Sequence, residues 1–141
     1  MKSLKLYIAS SFEEAKNCET VRRNLKRDGH IVPDVWWNVK TKDDFEGLAD
    51  FEFYGAPLVQ SIALRHWATL QECDAVILVS NATTERKFTG ANVEVGYALA
   101  LGKPVFSIGK IKRSAMYAPI VKCDTSDELR NVVNCLAQNG R

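Results

Sequence analysis

Residues 89–108 read TGANVEVGYALALGKPVFSI, and the fold turns on how this stretch is understood. From Ala91 to Gly102 nearly every residue is apolar or small, the pattern of a buried helix over Gly90–Leu101. Gly102 and Lys103 close that helix, since glycine favours the position just past a helix end and lysine complements its carbonyls. Pro104–Ile108 then forms a short, near-continuous apolar run, as expected of a strand covered on both faces. One residue breaks the pattern. Glu94 is the only charge between Lys87 and Lys103.

Three further apolar runs have the same character: Leu4–Ala9, Ile31–Trp36 and Ala75–Ser80. Helical patterns separate them. Ser11–Asp28 places Phe12, Ala15, Cys18, Val21 and Leu25 at spacings of three and four, with Glu13 and Glu14 in the first turn and Gly29 beyond the end. Pro57–Cys73 reads as a second helix, and Ser126–Ala137 as a last one with Leu129, Val132, Val133 and Leu136 on one face. Alternating strands and helices predict a three-layer α/β/α sandwich around a parallel, flavodoxin- or Rossmann-like sheet of about five strands. Asn38–Ala56 is the least regular segment, long for a connection, and reads as a lid or a partner surface.

The bulk properties bound the function. A chain of 141 residues is expected to form one domain, residues 1–141, with a single substantial core. Its 46% hydrophobic and 26% charged content is that of a water-soluble globular protein. A net charge of +2 gives no argument for a nucleic-acid polymer or an anionic membrane surface. The opening MKSLKLYIASSF has no export-signal pattern, and no apolar run approaches the roughly 20 residues that span a bilayer. Cys18, Cys73, Cys123 and Cys135 are widely separated without a CxxC pair, and only His30 and His66 are histidines. Free thiols in a reducing cytoplasm are the expectation; no metal, disulfide framework or cofactor is called for.

In a parallel α/β sheet, ligands bind beyond the carboxyl ends of the strands. That rule gathers YIASSF (7–12), SNATTERKFTGAN (80–92) and GKIKRSAMYAP (109–119) around one site. Glu94 belongs to it. Its helical neighbours include Gly90, Tyr97 and Ala98, so it faces small and aromatic groups. Near a helix start, the backbone amides favour an anion, and Gly90 and Ala91 leave room for a ligand. The same carboxylate has a plainer reading, in which it caps its own amides or pairs with a nearby lysine.

The segment GANVEVGYALALGKPV (90–105) resembles the signature of the nucleoside 2-deoxyribosyltransferase superfamily, G-x-x-x-E-x-G-x-A-x-x-x-G-K-P after the third strand. KLYIASSF (5–12) resembles that family's first strand and loop, and the similarity runs in order from Tyr7 to about Met116, weakly across 30–60. The resemblance makes Glu94 the nucleophile that attacks the anomeric carbon of a sugar, and Tyr7 the phenol that orients it. An oxocarbenium-like transition state is what a fixed carboxylate stabilises or captures. Ser10 and Ser11 either cap the first helix or hold a sugar hydroxyl or phosphate, and Thr89 and Gly90 stand at the entry to the signature helix.

Two positions depart from the family. Eight residues before Asp74, where an aspartate handling the base is expected, stands His66, a residue that both donates and accepts hydrogen bonds. A histidine on a partly exposed helix face is the alternative. Six residues before Glu94, where enzymes of free nucleosides carry an aspartate for the 5′-hydroxyl, stands Phe88. Lys110–Met116, KIKRSAM, resembles a stretch that deoxynucleoside 5′-monophosphate N-glycosidases contribute to a neighbouring subunit's pocket. Ser114 and Met116 would then complete the partner's site, with Lys110, Lys112 and Arg113 adding positive charge; a solvated basic loop is the alternative. The arginine that follows the first-strand serines in those enzymes is replaced by Glu13. Trp36 and Trp37, together with Asp34, end the second predicted strand at the ligand-facing edge, where an exposed tryptophan pair could stack on a base; core packing or a subunit contact is the alternative for at least one of them.

The resemblance therefore implies an enzyme of nucleotide salvage that cleaves the N-glycosidic bond of a nucleoside or nucleoside 5′-monophosphate; the free thiols and the lack of an export-signal pattern make the cytoplasm its expected place. The glycosyl group would pass to another base or to water, in a homodimer or larger homo-oligomer with shared active sites. A non-catalytic nucleotide sensor and a TIR-like NAD glycohydrolase are the competing readings.

Overall fold

The computed structural model describes residues 1–38, 48–80, 89–111 and 113–139. Its centre is a parallel sheet of four strands, β1 (Leu6–Ala9), β2 (Ala75–Val79), β3 (Val105–Ile108) and β4 (Val121–Cys123), hydrogen-bonded in that order. Leu6 is in register with Ala75, Val76 with Val105, and Phe106 with Val121. β1 and β2 are buried along their whole length, which is why their sequences are unbroken apolar runs instead of alternating ones.

The helices are α1 (Ala15–Arg27), α2 (Asp50–Gly55), α3 (Pro57–Glu72), α4 (Thr89–Ala100) and α5 (Ser126–Asn139). They cover both faces of the sheet, α1 packing against α5 and α3 against α4. α1 turns Cys18, Val21 and Leu25 inward, and α5 turns Leu129, Val133 and Ala137 inward, as their three-and-four spacing dictates. Each fully buried aliphatic side chain contributes roughly 1.5–3 kcal/mol. The stop at the end of α4 follows the sequence: Gly102 takes φ 73°, its N–H donates to the Leu99 carbonyl at 3.0 Å, and the Lys103 N–H donates to that of Ala98 at 2.9 Å.

Three expectations need correction. The sheet has four strands among the described residues, and the predicted strand at Ile31–Trp36 shrinks to one parallel bridge, Ile31 with Lys5. Pro33 explains the loss, because it has no N–H to continue a ladder. The chain instead turns through a short 3-10 helix at Trp36–Asn38. β4 was not foreseen; it has three residues, two of them exposed. The irregular segment Asn38–Ala56 contains α2, and its residues 39–47 lie outside those described.

The Ile31 bridge fixes the location of the site. It lies beside β1 on the edge opposite β2, so successive connections leave β1 in opposite directions. A crevice opens where that happens, at the carboxyl ends of β1 and β2. No helix among the described residues is long and apolar enough to cross a membrane.

Candidate active site

A cavity of about 660 Å³ occupies this crevice. Ser10 and Ser11 after β1 line it, together with Thr89, Gly90 and Glu94 of α4 and His66 of α3. Phe12, Trp36, Phe53 and Trp67 add an aromatic wall, extended by Val59 and Ile62. Phe12 and Trp36 meet edge to face at 5.3 Å.

Glu94 is 9% exposed and lies in the second turn of α4, beyond the amides that remain unpaired at a helix start. A capping role therefore does not explain it. Two side chains hold it instead. The Tyr7 hydroxyl, from mid-β1, donates a short hydrogen bond to Glu94 Oε2, and His66 Nδ1 lies 3.2 Å from the same oxygen. Tyr7 Oη and His66 Nδ1 are 3.1 Å apart, which closes a triangle of three polar groups from three elements. Tyr7 is 1% exposed; burial first, and then the Glu94 charge, push its phenol far above the usual range, so it stays protonated and acts as the donor.

Beyond His66 lies a second carboxylate. Asp34 Oδ2 is 3.5 Å from His66 Nε2, and Asp34 Oδ1 is 3.5 Å from Arg65 Nη2. Asp34 is 8% exposed, and its Oδ2 has no hydrogen-bond partner. The histidine ring is thus flanked by an acidic group at each nitrogen. Nothing in the sequence around Asp34 announces this pairing, since it is 32 positions from His66 and follows a proline.

The remaining candidates divide. Ser10 Oγ donates to the Val79 carbonyl at 2.5 Å, tying β1 to β2, whereas Ser11 Oγ is buried against the cavity without a partner and makes no cap bond. Trp36 contributes to the cavity wall and Trp37 does not; the Trp37 indole N–H donates to Glu19 Oε1 on α1 at 3.3 Å. The Trp36 indole N–H donates to the Ile8 carbonyl at 2.7 Å, fixing that ring against β1. Ser114 and Met116 do not reach the cavity of their own chain: Ser114 Oγ accepts the Met116 N–H at 3.2 Å and Met116 is 78% exposed. Phe88 and Lys112 lie outside the described residues. Glu13 lines the cavity.

The family model of nucleoside 2-deoxyribosyltransferase matches residues 6–135. The chain belongs to the nucleoside 2-deoxyribosyltransferase family. Among solved structures it is similar to a 2-deoxyribosyltransferase of Bacillus psychrosaccharolyticus, with 18% identity over 90% of each chain and a TM-score of 0.65. It is also similar to the CMP N-glycosidase BcmB of Clostridium botulinum, with 12% identity, 93% of this chain and 98% of that one covered, and a TM-score of 0.58. At such identities these two likenesses show the shared fold. No curated protein matches in sequence. Membership makes the chain an enzyme of the transferase and N-glycosidase class, acting in general on the nucleoside glycosidic bond.

Proposed function

We propose that this enzyme breaks the N-glycosidic bond of a nucleoside or nucleoside 5′-monophosphate through Glu94 as nucleophile. The observation that carries the reading is Glu94 itself, a nearly buried carboxylate at the cavity wall, held from behind by the Tyr7 hydroxyl. Fixing a carboxylate in one orientation next to a substrate-sized cavity removes the entropy of bringing nucleophile and anomeric carbon together. The carboxylate forms a bond to C1′ as the bond from C1′ to the base nitrogen breaks, and the departing base takes a proton from the His66 side. A second base or a water then attacks C1′ and releases Glu94. The aromatic wall of Phe12, Trp36, Phe53 and Trp67 suits a planar base, and the buried Ser11 hydroxyl suits a sugar or phosphate oxygen. Thr89 and Gly90 admit the sugar at the start of α4. Ser114 and Met116, which do not line their own cavity, are proposed to complete that of a neighbouring copy in a homo-oligomer, and the enzyme is proposed to work in the cytoplasm.

The test is to incubate the enzyme with a panel of nucleosides, 5′-monophosphates and NAD, and to measure free base by chromatography. Base release from at least one nucleoside or monophosphate is expected, and Glu94→Ala should reduce it at least a thousandfold. Equal release by wild type and variant, or none by either, overturns the reading; nicotinamide released from NAD alone selects the NAD glycohydrolase. Ligand binding without turnover selects a sensor.

A further inference from the structure

Resting on that reading of the cavity, we propose that Asp34 is the positioning residue for His66, holding the Nε2 proton so that Nδ1 is the nitrogen that exchanges a proton with the substrate. Four groups face the ring: Glu94 from α4 and Tyr7 from β1 at Nδ1, Asp34 from the segment before the 3-10 turn at Nε2, and Arg65 from the ring's own helix, with Nη2 3.5 Å from Nε2. Arg65 has donors only, so its hydrogen bond at Nε2 competes with a proton on that nitrogen; of the four groups, Asp34 is the one at Nε2 that can accept such a proton.

The burial of Asp34 makes the assignment directional. Its Oδ2 is sequestered yet lacks a hydrogen bond, a state that is costly for a carboxylate unless a donor closes on it. Arg65 faces the other oxygen, Oδ1, and its side chain is 51% exposed, so water screens that pair. The His66 side chain is 19% exposed and its Nε2 is 3.5 Å from Oδ2. A shift of a few tenths of an ångström would turn this 3.5 Å approach into a hydrogen bond. Asp34 then orients the imidazole, as a buried carboxylate behind a histidine does in general acid–base catalysis.

The proton balance follows. While C1′ passes from the base nitrogen to a Glu94 carboxylate oxygen, the proton on His66 Nδ1 moves to the leaving base and the ring keeps its Nε2 proton on Asp34. When water attacks C1′ in the second half, Nδ1 takes the water's proton back, and Glu94 leaves as carboxylate. His66 thus supplies the acid that the helix position lacks, and Asp34 supplies the negative charge one residue further out.

The chain has only two histidines, so nitrogen-15 NMR of the histidine-labelled full-length enzyme resolves each ring, with His66→Gln assigning the signals. His66 Nε2 is expected to carry a proton in wild type, and to lose that preference in Asp34→Asn. The same variant should lower kcat about 10–100-fold while KM stays within about threefold, with partial recovery in Asp34→Glu. A wild-type ring protonated on Nδ1 alone overturns the proposal whether or not any variant folds. So does an Asp34→Asn enzyme with an unchanged His66 spectrum or undiminished kcat. If wild type turns over no nucleoside, the glycosidic reading falls, while the NMR result still decides the Asp34–His66 relation.

Discussion

The two histidines of this protein occupy opposite ends of the sheet and live in opposite kinds of polar surroundings. His30, 2% exposed, follows α1 near the amino end of β1. Its Nδ1 accepts the Leu4 N–H at 3.2 Å, so Nε2 carries the proton and donates to Asn134 Oδ1 at 2.8 Å. Asn134 donates onward to Asp28, whose carboxylate takes two hydrogen bonds from Arg130 at 2.7 and 2.8 Å. Every member has a complementary partner, and the tautomer is fixed. His66, at the carboxyl end, has Tyr7, Glu94, Asp34 and Arg65 at 3.1–3.5 Å, beside an orphaned carboxylate oxygen and an open cavity. A closed network locks helices together; an incompletely satisfied one is stable only where the surrounding fold compensates, and such places tend to be sites of chemistry.

Removing one hydroxyl from the open network is the sharpest way to separate the two. Tyr7→Phe keeps the ring in the core and deletes the donor to Glu94 Oε2. Glycosidic turnover should fall about a hundredfold, equivalent to about 2.7 kcal/mol of barrier, while unfolding free energy changes by about 1 kcal/mol or less. Steady-state base release beside urea denaturation measures both. Unimpaired turnover would show that the phenol does not orient Glu94.

The matching cut in the closed network reverses the balance. His30→Leu strands the Leu4 amide and the Asn134 carboxamide in a buried place, so stability should drop by about 1–3 kcal/mol. Turnover per folded molecule should not change. The measurement is a urea midpoint together with kcat corrected for the folded fraction, and a kcat loss beyond about threefold would break the division between the two ends.

Glu94 could be singled out in the sequence because a lone carboxylate interrupts an apolar helix, and it lines the cavity. Its partners were harder to see. Tyr7 looks like any strand aromatic and His66 like any helix polar residue, and the fold brings Tyr7 to His66 and Glu94, positions 59 and 87 residues away. Asp34 was invisible as a partner because the run around it reads as strand, and only Pro33 hints that the ladder stops early. The choice between Trp36 and Trp37 rests on a 3-10 turn, which has no periodic signature. Phe53, Trp67, Val59 and Ile62 escaped notice for a different reason: apolar residues on short or amphipathic helices look the same whether they face a core or a cavity.

Trp37 leads to the smallest expected effect, at the seam between the cavity wall and α1. Glu19 accepts from Arg22 Nε at 3.0 Å and from the Trp37 indole N–H at 3.3 Å. The Arg22 hydrogen bonds, followed by that of Trp37, hold its carboxyl down to about 2, against an ordinary 4.5. The folded form therefore binds this proton less readily than the unfolded chain. Its stabilisation is fully present above pH 4.5 and is lost as pH falls toward 2. Glu19→Gln should lower stability at neutral pH by about 0.5 kcal/mol, the scale of a partly exposed helical pair, and should flatten the acid limb of stability against pH. Some slope should remain, because the Arg130 hydrogen bonds likewise hold Asp28 below its ordinary range. Urea unfolding repeated across the acid range reads this difference. An acid limb as steep in the variant as in wild type would mean that Glu19 does not brace Trp37, and that the wall at Trp36 is held by the Trp36–Ile8 bond and ring packing.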